Sequence, residues 1–334
     1  KNMENQQAQP VVSQPDMAVV EGYKYKIYKP IKLILLGSAA HPVTKRLEQF
    51  CDQIHAHLPS VTIKKETGED DERPAVLIPP NIRFSAVPEG KFLEFFLMCT
   101  AGIVPIEEAE AGVSASDIQN RIQMPGVVRL YVATACPHCP KALARWLYMA
   151  AWAPDRVEVR IIDAALFPES AAADNVKSVP AAILDDRFRW TGAVPVSELL
   201  DVFEKRDPSD LSAETLKKII SEGDAQGLAE LMADAETIIP GFLDLLAHPK
   251  WPTRLGAMVA FEYLAEIAPE LARKAIDEMW ERFPLAEDAV KGDIIHLFGV
   301  LNNKELIGRL ESVINGNYAE AVRETAKEVI EDME

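Results

Sequence analysis

The sequence predicts two successive α/β modules, each a mixed central sheet flanked by helices, followed by an all-α solenoid of helical repeats. Three observations lead there. A strand–helix–strand order followed by strand–strand–helix runs through residues 29–102 and recurs through 127–206, as an order of elements rather than of matching letters. Strand signals then end near Asp210, and helical segments follow one another in pairs separated by short turns. In the second module, Cys136-Pro137-His138-Cys139 falls where an apolar, β-leaning run hands over to a helix.

Taken in order, residues 1–28 read as a disordered or weakly ordered segment, with Met3 as the native start. Residues 1–22 are polar and contain Gln, Pro and Ser, without the apolar run of a signal peptide. Residues 29–37 form a first buried strand. His41-Pro42 opens a helix to about His57, with Leu47, Phe50, Cys51 and Ile54 on one face. Residues 61–66 are a second strand. Its expected partner is 73–80, beyond the acidic turn Glu69–Glu72, and 81–87 closes a hairpin on that partner. A helix over 88–102 ends the first module near Gly102. Residues 103–126 link the modules, with a short helix at Ser114–Ile122.

The second module repeats the order: a strand at 127–133, a helix from about His138 to Trp152, a strand at 157–163, a hairpin of 179–186 with 187–192, and a helix at 195–205. Residues 208–334 carry the helices, at 211–222, 225–234, 237–247, 251–267, 270–282, 287–301, 304–314 and 318–333. Arg254, Lys291 and Arg323 recur near helix starts at spacings of 37 and 32, which suits stacked helix pairs. Trp251, Trp280 and Phe283 are expected to pack that array.

Bulk properties exclude several roles. The 334-residue chain carries a formal charge of −17, against non-specific nucleic-acid binding and against adhesion to an anionic membrane. No stretch approaches the roughly 20 apolar residues of a membrane span. A cytoplasmic location is expected, a removed export signal being the alternative. Four cysteines make no disulfide scaffold. Cys51 and Cys99 stand singly in apolar helical contexts and read as inert core thiols.

Chemistry concentrates at residues 136–139. A CxxC pair alone is half a zinc site, a redox pair or chance. Structural zinc asks for four ligands, and only the distant Cys51 and Cys99 remain. The strand-to-helix placement suits dithiol chemistry, because helix N-termini stabilise thiolates. Cys136, outermost, is the expected nucleophile, and Cys139, one turn in, the resolving thiol. His138 either favours the Cys136 thiolate or is a plain surface residue. Pro137 stiffens the loop, and Pro140 falls in a first turn where its missing N–H costs little. Pro180 is either an ordinary strand-start proline or a cis one that turns Val179 so its carbonyl and N–H meet a bound polypeptide.

With these residues in view, the stretch from Val127 to about Lys205 resembles a thioredoxin/glutaredoxin-fold module, with CPHC as the active loop and Val179-Pro180 as the cis-proline loop. The whole of residues 29–205 is similar to double-thioredoxin-fold proteins. These include archaeal-type protein disulfide oxidoreductases and the N-terminal domain of the alkyl hydroperoxide reductase flavoprotein subunit. The resemblance implies that Cys136 attacks, Cys139 resolves and Pro180 is cis, with Pro74 a vestigial counterpart in a cysteine-free first module. It implies a redox-active disulfide with no bound cofactor, a protein disulfide or peroxiredoxin as partner, and a separate reductase, thiol or flavoprotein, as electron donor. No Gly-x-Gly-x-x-Gly signature marks a nucleotide domain in the chain. Thioredoxins proper carry a buried aspartate six residues before the first cysteine, and Leu130 stands there instead, leaning toward the glutaredoxin or disulfide-oxidoreductase branch. CPHC is also the loop of periplasmic thiol oxidases, so the direction of electron flow stays open. The C-terminal segment resembles HEAT repeats, a surface for a protein partner. The expected function is a protein-disulfide oxidoreductase. The alternative is a protein-binding adaptor working through the helical repeats, with the dithiol as redox switch or remnant.

Overall fold

The computed structural model describes residues 11–37, 41–67 and 73–333. The expected acidic turn at Glu69–Glu72 and the expected native start at Met3 lie outside the described residues. The chain divides into two units, one ending at Lys205 and the other beginning at Arg206.

The first unit opens with α1 (Gln14–Gly22), where a disordered or weakly ordered segment was expected. Ser13 caps it, accepting a hydrogen bond from the Asp16 N–H. The physical reason is apolar anchorage scattered through a polar stretch: Val12, Val20, Tyr23 and Ile27 are all buried in the core of the unit. Then come β1 (Ile31–Leu36), α2 (Pro42–His57), β2 (Val61–Glu66), β3 (Ala75–Ile78), β4 (Ile82–Ser85) and α3 (Gly90–Thr100). A connecting stretch holds α4 (Glu108–Ala111) and α5 (Ala115–Arg121), the latter opened by a Ser114–Asp117 capping box. The remainder is β5 (Gly126–Val132), α6 (Cys139–Trp152), β6 (Val157–Asp163), α7 (Pro168–Ala173), β7 (Ala181–Leu184), β8 (Phe188–Thr191) and α8 (Val196–Lys205).

All eight strands form one sheet in the order β2-β1-β3-β4-β6-β5-β7-β8. Its halves have the same topology. β1 pairs parallel with β2 and antiparallel with β3, as β5 does with β6 and β7. The expected pairing of 73–80 with 61–66 is therefore corrected: β3 lies against β1, and β2 takes the edge. Burial explains this, since β2 is half-exposed and rich in Lys and Glu, as an edge strand tolerates, whereas β3 is almost wholly buried. β4 and β6 join the halves in parallel, with Ile82 opposite Val159. Asn81 pins that seam, its side-chain N–H groups donating to the carbonyls of Ala150 at 2.8 Å and Val157 at 2.7 Å. Edge-on contacts of Phe96 with Phe50 and Phe84 fill the core behind the first half, and Trp146 meets Trp190 and Phe203 behind the second.

The second unit is helical: α9 (Ala213–Ser221), α10 (Ala225–Asp234), α11 (Pro240–Leu246), α12 (Trp251–Ile267), α13 (Pro269–Arg282), α14 (Asp288–Leu301), α15 (Ile307–Ile314) and α16 (Glu320–Met333). α12 packs on α10, α13 and α14, and α14 on α16. Two of the recurring basic residues do the same job. Buried Arg254 donates to the carbonyls of His248 and Pro249 and pairs with Asp293, and Lys291 donates to the Ala286 carbonyl, so each ties its helix to the preceding turn. For Arg323 the Nε is buried without a partner. Trp280 stacks on Phe283 at 4.7 Å, as expected of packing residues. Trp251 packs only in part: it heads α12 at the surface, 56% exposed.

Candidate redox site in the second half of the sheet

The site is built by the exit of β5. All seven residues of that strand are buried, so the sheet fixes where the chain emerges. The loop turns at once, the Cys136 N–H donating to the Ala133 carbonyl at 3.0 Å. His138 is the N-cap residue of α6, exposed and making no capping hydrogen bond, and Pro140 lies in the first turn. The unpaired N–H groups of the α6 N-terminus are thus left at the loop that holds Cys136.

The two sulfurs differ in environment, and both are free thiols. Cys139 lies on the buried face of α6, with no exposed surface. Burial, followed by a hydrogen bond with Cys136, pushes its thiol up to about 12. Cys136 is half-buried, and its Sγ lies 3.6 Å from the Val179 carbonyl oxygen. The Val179–Pro180 peptide is cis. The other cis bond among the described residues is Pro79–Pro80 in the β3–β4 turn, so Pro74, which precedes β3 as Pro180 precedes β7, does not share that geometry. The structure therefore brings Cys136, Cys139 and Val179 together and leaves His138 facing outward. Cys51 and Cys99 sit on other helices, and burial pushes each up to about 12. Among the described residues no group of three or more His, Cys, Asp or Glu is placed to hold a metal ion.

Leu130 is buried and faces Ile161 across the β5–β6 pair, so the position six residues before Cys136 is apolar. An acid does lie nearby, and the sequence reading missed it. Asp163 ends β6 opposite Val132, is 5% exposed, and accepts from the Ala165 N–H at 2.8 Å. Its charge adds to the upward push on Cys139. The signal was an acid closing an apolar strand beside the one that leads into CPHC.

A second polar cluster holds the segment that bears Val179. Buried Arg129 of β5 donates to both Asp174, just after α7, and Asp186 in the β7–β8 turn. The Tyr131 hydroxyl donates to Asp174 at 2.6 Å. Burial alone would raise the Asp174 carboxyl, but the bonds from Arg129 and Tyr131 hold it below its ordinary range.

Residues 127–203 match the family model of the thioredoxin domain. Over 79 residues, 24% of this chain and 93% of the other protein, the chain is 29% identical to a thioredoxin of Methanocaldococcus jannaschii. Among solved structures it is similar to the NTD_N/C domain of the alkylhydroperoxide reductase AhpF from Enterococcus faecalis, with TM-score 0.49, 19% identity, and coverage of 57% of this chain and 99% of that one. It is also similar to a protein disulfide oxidoreductase from Aeropyrum pernix, with TM-score 0.48, 15% identity, and coverage of 57% and 92%. The domain match and the strand order describe a thioredoxin-like α/β fold with a closely spaced cysteine pair, consistent with a redox-active site, followed by a largely helical region. No helix among the described residues is long and apolar enough to cross a membrane.

Proposed function

We propose that the chain is a protein-disulfide oxidoreductase acting through the Cys136–Cys139 dithiol. The observation that carries this is the division of labour between the sulfurs: Cys136 reachable at the head of α6, Cys139 sealed beneath it and held protonated. In the reducing direction the Cys136 thiolate attacks one sulfur of a protein disulfide. The substrate's S–S bond breaks, its other sulfur leaves as thiolate, and a mixed disulfide forms on Cys136. Cys139 then attacks Cys136, its proton passing to the departing substrate sulfur. The second substrate sulfur leaves, and the dithiol's two electrons have passed to the substrate. An external thiol or flavoprotein reductase restores the pair.

In this reading Val179 offers its backbone to an extended substrate beside Cys136, with Pro180 setting the loop and His138 acting on the thiolate from the solvent side. The peroxiredoxin implied by the sequence resemblance is one such protein disulfide. The repeated topology of the sheet supports descent from two thioredoxin-like modules, the first without cysteines at the matching point. The ties made by Arg254 and Lys291 support a HEAT-type array in the helical region. The test is turnover of insulin disulfides driven by dithiothreitol. Activity is expected in the full chain and lost in Cys136→Ser, and full activity in that variant would refute the assignment.

A further inference from the structure

Helix α12 has five helical neighbours, α9, α10, α11, α13 and α14, and its buried residues include Ala257, Ala260, Phe261 and Leu264. What it leaves uncovered is a ridge at four-residue spacing: Trp251, Leu255, Val259, Tyr263 and Ile267. Exposure is 56% at Trp251, 38% at Leu255, 37% at Tyr263 and 49% at Ile267, with Val259 half-buried between them. These large apolar side chains form a row that slants round the helix by about 40° per step over about 24 Å, which is not the scattered exposure of an ordinary surface. An i±4 row is also the ridge that seats in the groove of a second helix.

The surroundings say what that second helix carries. Apart from the ridge, the exposed residues of α12 are Pro252, Glu262 and Glu266, and those of adjacent α10 are Gln226, Glu230 and Asp234. No exposed cation stands on either helix. Residues 206–334 hold 26 acidic against 13 basic residues. A second copy would set this acidic surface against itself, and an anionic membrane would be repelled.

We propose that the α12 ridge docks a basic amphipathic helix of another protein, with its apolar face centred on Leu255, Val259 and Tyr263 and its Lys or Arg residues beside Glu262, Glu266, Glu230 and Asp234. This needs nothing from the dithiol, so either proposal can fail alone.

The test uses the full chain and a fluorescent synthetic helix of Leu and Lys, read by anisotropy. The double substitution L255E/Y263E breaks the ridge while adding two negative charges. Attraction by charge alone would strengthen binding, whereas the ridge predicts affinity about tenfold weaker or less. A second variant, E262K/E266K, keeps the ridge intact and is expected to weaken binding as well, as is added salt. Both variants alter exposed positions, and thermal melts check that they fold. No binding by the Leu/Lys helix, equal binding by a Leu/Glu helix, or undiminished binding to folded L255E/Y263E would overturn the proposal. So would a dimer of the chain that L255E/Y263E dissolves.

Discussion

Alkylation of the reduced protein at neutral pH should separate its cysteines sharply. With its thiol at about 12, Cys139 is ionised to about one part in 10⁵ at pH 7. An ordinary thiol at about 8.5 is ionised to roughly 3%. Iodoacetamide reacts with the thiolate, so ionisation alone slows Cys139 about three-thousandfold relative to an ordinary thiol. Enclosure slows it further, since it has no exposed surface. The same ionisation factor applies to Cys51 and Cys99, each near 12. Half-buried Cys136 is the remaining target. Peptide mapping after brief exposure should find the label on Cys136, with the other three modified only after unfolding. Labelling of Cys139 in the folded protein at a rate comparable to Cys136 would refute the division between an attacking and a sealed sulfur.

Three further outcomes follow from the same geometry. Cys139→Ser should retain attack but not release, accumulating mixed disulfides with protein substrates that reductant frees, visible on non-reducing gels. Asp174→Ala removes one carboxylate from buried Arg129, which keeps Asp186, and should cost about 2–3 kcal/mol in denaturant melts, somewhat less than breaking an isolated buried pair. Because the folded state holds the Asp174 carboxyl below its ordinary value, its contribution is present above about pH 4 and fades as pH falls. A difference between wild type and variant that grows below pH 4 would contradict this. Buried thiols act in the opposite sense. Cys51, at about 12 when folded and about 8.5 when unfolded, stabilises fully below pH 8.5 and progressively less as pH rises toward 12. Cys51→Ala should therefore show a shallower alkaline loss of stability, and an unchanged slope would count against it.

The parts of the fold legible in the sequence are those written locally. CPHC between an apolar run and an amphipathic one places the site without long-range information, and Ser114 with Asp117 marks the start of α5 in four letters. Pairing partners are not written that way. The order of strands in the chain gave no hint that β3 lies on β1, because a strand's partner is set by the whole sheet. Helix α1 was hidden by a polar composition in which four apolar residues do the anchoring. Asp163 was missed because an acid ending a strand reads as a turn residue until the neighbouring strand is known to lead to Cys136. Trp251 misled for a related reason: an aromatic residue at a helix start reads as packing, and only the assembled neighbours show that more than half of it stays exposed.

The central claim is that Cys136 and Cys139 close and open as a couple. The direct measurement is to equilibrate the protein across glutathione buffers and map the 136–139 peptide by mass. The account predicts loss of two hydrogens on that peptide alone, reversible, with one midpoint within about −270 to −120 mV. No intrapeptide disulfide at any poise, or stoichiometric metal held by the two sulfurs, would contradict it.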